Sequence, residues 1–183
     1  MARKPAFLGD SITAAMDWND LLGRTDCQNF GVPGDLTADM LNRVDDVYNA
    51  TIKPDICFIM GGKNDTEQGG FNANVSGHNL IDIAGILRVN GVMPIIIAPF
   101  KVGTAAGNYS TLNTRLTAIG SYLSSAATGA PANIVDYMEL NTIWMAPAGV
   151  LLSSFTSDGT HLTTAGQEEW AFLIGYWLNQ HGY

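Results

Sequence analysis

Pro54-Asp55-Ile56-Cys57-Phe58-Ile59-Met60-Gly61-Gly62 is the stretch from which the fold can be read. Its apolar run is too short for a helix, and Pro-Asp and Gly-Gly punctuate its two ends. With no polar residue alternating along it, neither face can look onto water. A strand of this kind belongs in a parallel sheet covered by helices on both sides. Residues 94–99, with Ile95-Ile96-Ile97 at their centre, repeat the pattern. Working outward, residues 6–8, residues 27–32 (stopped by Pro33-Gly34) and residues 134–138 supply three further strand candidates.

Amphipathic stretches lie between the strands. In residues 37–50, Met40, Leu41, Val44, Val47 and Tyr48 recur at helical spacing, with Thr37 placed as N-cap. In residues 75–89, Leu80, Ile83, Ala84 and Leu87 mark one side of a helix. Residues 17–22, 109–127 and 164–180 complete the helical set. No repeat and no linker divides the chain, so the expectation is one domain over residues 1–183: an α/β, three-layer αβα sandwich around a five-stranded parallel sheet with right-handed crossovers.

Composition narrows the function. The chain has 183 residues, 46% of them apolar and only 14% charged. Its 17 acidic and 9 basic residues leave a net charge of −8, which argues against a nucleic-acid partner and against a polybasic lipid anchor. No run approaches the ~20 apolar residues of a membrane span, and no apolar leader follows the first Met, so the expectation is a cytoplasmic protein, or a secreted mature form begun from a new Met. Cys27 and Cys57 lack the spacing of a zinc site or a disulfide framework and read as buried hydrophobes. Four Asn-x-Ser/Thr matches, at Asn49, Asn64, Asn74 and Asn108, carry little meaning without a secretion signal.

The long, weakly patterned segments 61–74, 101–108 and 139–159 all follow strands, which places them at the carboxyl edge of the sheet, where open α/β folds bind ligands. Polar groups converge there. Ser11 follows the first strand, Gly34 the second and Asn64 the third, while Asp158-Gly159-Thr160-His161 precedes the last helix. In a strand order 2-1-3-4-5 the Gly34 and Asn64 loops flank Ser11. This set meets the needs of acyl transfer. Ser11 is the nucleophile, His161 the base that takes its proton, and Asp158, three residues earlier, the group that orients the imidazole. The Ser11 and Gly34 backbone N–H groups and the Asn64 side-chain amide are the candidate oxyanion donors. Asp10, Asp35 and Asp65 are expected to hold loop amides.

These residues also carry a family resemblance. Gly9-Asp10-Ser11-Ile12 resembles the first block of the SGNH (GDSL-type) hydrolases, and Gly34 is similar to the glycine of their second. Gly62-Lys63-Asn64-Asp65 resembles their G-x-N-D block, and Asp158-Gly159-Thr160-His161 their D-x-x-H block. The four blocks stand in the family's order from residue 9 to residue 161. The resemblance implies the flavodoxin-like strand order 2-1-3-4-5, a Ser11-His161-Asp158 triad, an oxyanion hole of Ser11, Gly34 and Asn64, and no metal or cofactor. Block two departs from the usual small residues with Val32-Pro33 before the glycine, which stiffens the loop while leaving the Gly34 N–H intact.

The expected activity is therefore hydrolysis of small or short-acyl neutral carboxylic esters, O-acetylated carbohydrate among them. The short-acyl expectation follows from the lack of a long apolar lid in the sequence. A lysophospholipase or thioesterase of the same family, and a catalytically silent glycan-binding module, are the competing readings. A flavin or nucleotide binder lacks support, because the first loop has neither G-x-G-x-x-G nor a Walker pattern. Trp18, Lys63, Phe100, Trp144 and Phe155 are the expected substrate contacts. Trp170, Phe172, Tyr176 and Trp177 read as the core face of the last helix, and His78 and His181 as surface residues with no carboxylate at useful spacing.

Overall fold

A computed structural model describes residues 3–129 and 136–183. Five parallel strands, β1 (Pro5–Gly9), β2 (Gln28–Gly31), β3 (Ile56–Met60), β4 (Met93–Ile97) and β5 (Asp136–Met138), form one sheet in the order β2-β1-β3-β4-β5. The apolar runs at β3 and β4 lie where the sequence places them. Residues 134–135 of the expected fifth strand fall outside the described residues.

Alternation along the strands divides the core into two layers. Phe7, Ile56, Phe58, Ile95 and Ile97 face one side, under α2 (Trp18–Leu22) and α7 (Thr164–Gln180). Ala6, Leu8, Cys57, Ile59 and Ile96 face the other, under α3 (Thr37–Asn42), α5 (Ala73–Val89) and α6 (Tyr109–Gly129). Registers Phe7↔Phe58 and Phe58↔Ile95 align these side chains across the sheet. Both faces are therefore dry, which explains the unbroken apolar runs. Cys27 and Cys57 are buried free thiols.

Two local readings change. Residues 37–50 form two short helices, α3 and α4 (Asp45–Tyr48), because the chain leaves helical geometry at Arg43 (φ −119°, ψ 17°). Thr37 is not the N-cap: Leu36 holds that position, and the Asp39 carboxylate accepts the Leu36 N–H at 3.0 Å. In α7, Trp170 is buried, but Phe172 and Tyr176 are 61% and 58% exposed. Aromatic character alone does not report which side of a helix meets the sheet.

The strand order reverses direction at β1, so the crevice beyond its carboxyl end is the switch point of the sheet. A short helix, α1 (Ser11–Ala14), begins there and packs against the ends of β1 and β2. Gly9 makes that approach possible. A Cβ on it would lie 2.1 Å from Thr13 Oγ1 and 2.5 Å from the Met60 carbonyl oxygen.

Candidate active site

Ser11 is the first residue of α1, displaced from the N-cap by Asp10. The Asp10 Oδ1 accepts the Ile12 N–H at 3.0 Å, which ties the turn after β1 into a fixed shape. Asp10 is almost wholly buried, and its Oδ2 has no protein partner. Burial pushes its carboxyl up to about 6, against the opposing pull of the Ile12 N–H, Lys63 and His161.

The Ser11 Oγ lies 3.0 Å from His161 Nε2, and His161 Nδ1 lies 2.7 Å from Asp158 Oδ2. The carboxylate accepts the Nδ1–H, which leaves Nε2 to accept from the serine hydroxyl. The three residues come from opposite ends of the chain and meet because α7 returns to lie under β1. Asp158 is itself anchored. Its Oδ1 accepts the N–H groups of Thr160 at 2.7 Å and His161 at 2.8 Å. Burial raises the Asp158 carboxyl, but the His161 side chain and the two N–H donors outweigh it and hold the group well below the usual carboxylate range.

The oxyanion candidates Gly34 and Asn64 lie in the loops that follow the two strands flanking β1. Gly34 has φ +89°, a conformation that side chains resist, so a glycine is needed for the turn that follows β2. The Asn64 Nδ2 donates to the Asp35 carbonyl at 2.9 Å, which brings the block-three amide against the block-two loop. One amide hydrogen of Asn64 remains for a ligand. A cavity of about 220 Å³ lies next to these loops, lined by Leu36, Asp65, Gln68 and Phe71 among others and by none of Ser11, Gly34, Asn64 or His161.

Three supporting residues have roles that the sequence reading missed. Arg43 donates to Asp35 Oδ2 at 2.6 Å and to the Gly9 carbonyl at 3.0 Å, clamping the Gly34 loop to the end of β1. The expectation that Asp35 holds a loop amide is corrected accordingly: its partner is a guanidinium eight residues on. Thr156 accepts the Gly159 N–H at 2.9 Å and lies 3.3 Å from Asp158 Oδ1, bracing the turn that carries Asp158. Ser76 donates to Asp65 at 2.9 Å, joining the Thr37 hydroxyl and N–H that also reach this carboxylate. Arg43 and Ser76 sit in no local motif, whereas the Thr156 hydroxyl bonds within its own Thr156-Ser157-Asp158-Gly159 turn, a local signal the sequence did offer.

Two of the five expected substrate contacts, Trp18 and Phe100, fail. Trp18 stacks on Phe7 with ring centroids 3.6 Å apart, and Phe100 packs edge-on against Trp170; both are core residues. Their loops do lie near the carboxyl edge, but the side chains turn down into the larger apolar layer. Phe155 packs against that layer too, partly buried. Lys63 pairs with Glu67 at 2.9 Å. Trp144 stands 46% exposed on a π-helical turn, Asn141–Met145. His78 does have a carboxylate at helical spacing, Asp82, at 3.7 Å, although both are on the surface. His181 stacks on Trp177.

Among the described residues no group of His, Cys, Asp and Glu has the geometry of a metal site, and no helix is long and apolar enough to cross a membrane.

Residues 7–169 match the family model of GDSL-like lipases/acylhydrolases. No relative matches among the curated proteins. The fold is shared with a GDSL-like lipase from Bacteroides thetaiotaomicron (TM-score 0.81, 19% identity, covering 98% of this chain and 89% of that one). It is shared too with a lipase/acylhydrolase from Enterococcus faecalis (0.76, 24%, 98% and 96%) and a carbohydrate esterase family 3 protein from Talaromyces cellulolyticus (0.73, 21%, 97% and 97%). The chain belongs to the GDSL-like lipase/acylhydrolase family.

Proposed function

We propose that this member of the GDSL-like lipase/acylhydrolase family is a serine esterase that works through an acyl-enzyme on small, neutral, short-acyl esters, O-acetylated carbohydrate among them. The observation that carries the reading is the Ser11–His161–Asp158 relay, with contacts of 3.0 and 2.7 Å.

In this reading His161 Nε2 takes the Ser11 proton as Oγ attacks the ester carbonyl, and Asp158 stabilises the imidazolium that forms. The Ser11 and Gly34 N–H groups and the Asn64 amide receive the developing oxyanion. The imidazolium returns the proton to the leaving alkoxide. Water, deprotonated by the same imidazole, then releases the acid and frees Ser11. A silent glycan binder has no need of this relay, which weighs against that alternative. The short-acyl preference follows from the lack of a long apolar lid in the sequence to shelter a fatty chain. The structural likeness to a carbohydrate esterase is consistent with a sugar ester.

The test is Ser11→Ala measured on p-nitrophenyl acetate, with fluorophosphonate labelling of the unaltered protein. We expect loss of turnover in the variant and a covalent adduct on Ser11. Unchanged turnover with no adduct would sink the proposal. Rates on acetyl, butyryl and octanoyl esters decide chain length, and a preference for octanoyl would favour the lysophospholipase or thioesterase reading.

A further inference from the structure

A second, larger cavity lies away from the relay. It occupies about 520 Å³ beyond the carboxyl ends of β4 and β5, closed on one side by α6 and on the other by the turn Asn141–Met145. None of the five catalytic or oxyanion candidates lines it. β4 is two strands from β1, so the cavity stands roughly 10 Å along the sheet from the strand that carries Ser11.

Its walls are built of hydrogen-bonding groups that are only partly engaged. The Lys101 ammonium donates to the Thr117 hydroxyl at 2.6 Å and to the Asn113 carbonyl at 3.3 Å, leaving one of its three hydrogens. Glu139 accepts the Asn141 N–H at 2.7 Å on one oxygen and the Tyr137 hydroxyl at 3.2 Å on the other. Each oxygen keeps a lone pair for a ligand. Ser121 and Thr142 add two hydroxyls on opposite walls. Lys101 and Glu139 face the same cavity, and the Glu139 charge acts on the ammonium, but no contact of ion-pair length joins the two side chains.

That separation selects the ligand. An anion is drawn by Lys101 and repelled by Glu139, and for a cation the signs reverse. A neutral diol satisfies both, because one hydroxyl accepts from the ammonium while its neighbour donates to the carboxylate. The Lys101 backbone is tied to the Asn141 side chain at 2.9 Å, which keeps the two walls in fixed relation. Two residues on, the Gly103 N–H donates to the carbonyl of Gly159, between Asp158 and His161, at 2.7 Å. The loop that forms this cavity therefore also touches the turn that holds the relay.

We propose that the cavity between α6 and the Asn141–Met145 turn is a binding site for a neutral sugar unit, with Lys101 and Glu139 as its recognition pair and Thr117, Ser121, Tyr137 and Thr142 as further hydroxyl partners. In a glycan ester it would hold a unit remote from the ester under attack. The site does not depend on Ser11 being a nucleophile, and the test separates the two claims.

The experiment is a backbone-amide NMR titration of the Ser11→Ala protein with unesterified xylohexaose, cellohexaose and maltohexaose, and with hexagalacturonate as the anionic control. We expect saturable shifts at the cavity residues with at least one neutral sugar and none with the anion. Ser121→Trp, which fills the cavity from an exposed helix position, should abolish them while leaving p-nitrophenyl acetate turnover and thermal unfolding as they were. Lys101→Met and Glu139→Gln should each weaken binding roughly tenfold or more, as expected for loss of one charged hydrogen bond. Absence of cavity shifts with every neutral sugar, shifts confined to the surroundings of residue 11, binding of the anion alone, or full binding by Ser121→Trp would each overturn the site.

Discussion

Asp158 grips His161 twice, its Oδ2 accepting the ring Nδ1–H at 2.7 Å and its Oδ1 accepting the backbone N–H of the same residue at 2.8 Å. One carboxylate thus sets both the position of the backbone and the tautomer of the ring. The two functions can be separated by substitution. In Asp158→Asn the side-chain oxygen can still accept the Thr160 and His161 N–H groups, but the amide nitrogen then faces Nδ1 and forces it to be the acceptor. Nε2 becomes protonated and can no longer take the Ser11 proton. We expect kcat on p-nitrophenyl acetate to fall on the order of 10⁴-fold, with the unfolding temperature little changed.

Asn64 is proposed as a donor to charge that exists only in the transition state. Asn64→Ala should therefore lower kcat by roughly 10²–10³-fold while KM stays within a few-fold. A variant that raised KM alone would assign Asn64 to ground-state binding.

Arg43 touches no reacting atom, yet it joins the Gly34 loop to the end of β1 through Asp35 and the Gly9 carbonyl. Arg43→Met leaves a partly buried carboxylate without its partner. Urea unfolding should show a loss of about 1.5–3 kcal/mol. We expect kcat to fall more than KM rises, since the Gly34 N–H loses its fixed position; a purely structural role would lower stability and leave both constants alone.

Asp10 and Asp158 give stability opposite slopes with pH. Burial lifts the Asp10 carboxyl from 3.8 to about 6, so its favourable contribution is complete below the ordinary value and is lost as pH rises through about 6. The difference is roughly 3 kcal/mol. Asp158, held below the ordinary range, contributes above that range and loses its contribution on acidification. Thermal unfolding between pH 4 and 8 should therefore show a decline from about pH 4 to about pH 6 in the wild type, levelling off above it, that is much reduced in Asp10→Asn, whose side-chain oxygen keeps the Ile12 contact. An equal decline in both proteins would remove Asp10 as its source.

The net charge of −8 constrains the ester. The protein's field should slow association of an anionic substrate, so p-nitrophenyl acetate should be turned over with higher kcat/KM than p-nitrophenyl hydrogen succinate at about 0.01 M ionic strength, and the gap should narrow as salt screens the field. A preference for the succinate ester at low salt would contradict this.

The parts of the site that the sequence made legible are those held by a local constraint. Asp158 and His161 are three residues apart, and a single turn suffices to join them. Gly34 occupies a left-handed position that glycine tolerates, and Ser11 and Asn64 each directly follow an apolar run that declares itself a strand. Arg43 and Ser76 were not legible because their partners are chosen by the packing of separate elements. Trp18 and Phe100 misled for the same reason: chain position put them near the carboxyl edge, while the direction of the side chain is decided by which layer has room for a ring.

By itself, the sequence determined a parallel α/β sheet buried on both faces, since runs such as Ile56–Met60 have no other way to leave water. It also determined four polar blocks, three at strand ends and one just before the last helix. Only the tertiary structure decided that Ser11 and His161, 150 residues apart, stand 3.0 Å from one another. It alone assigned Asp35 to Arg43 and opened the cavity between Lys101 and Glu139. Periodicity and local turns are written in neighbouring residues, whereas a contact between distant elements depends on the registers, crossovers and side-chain volumes of the whole domain at once.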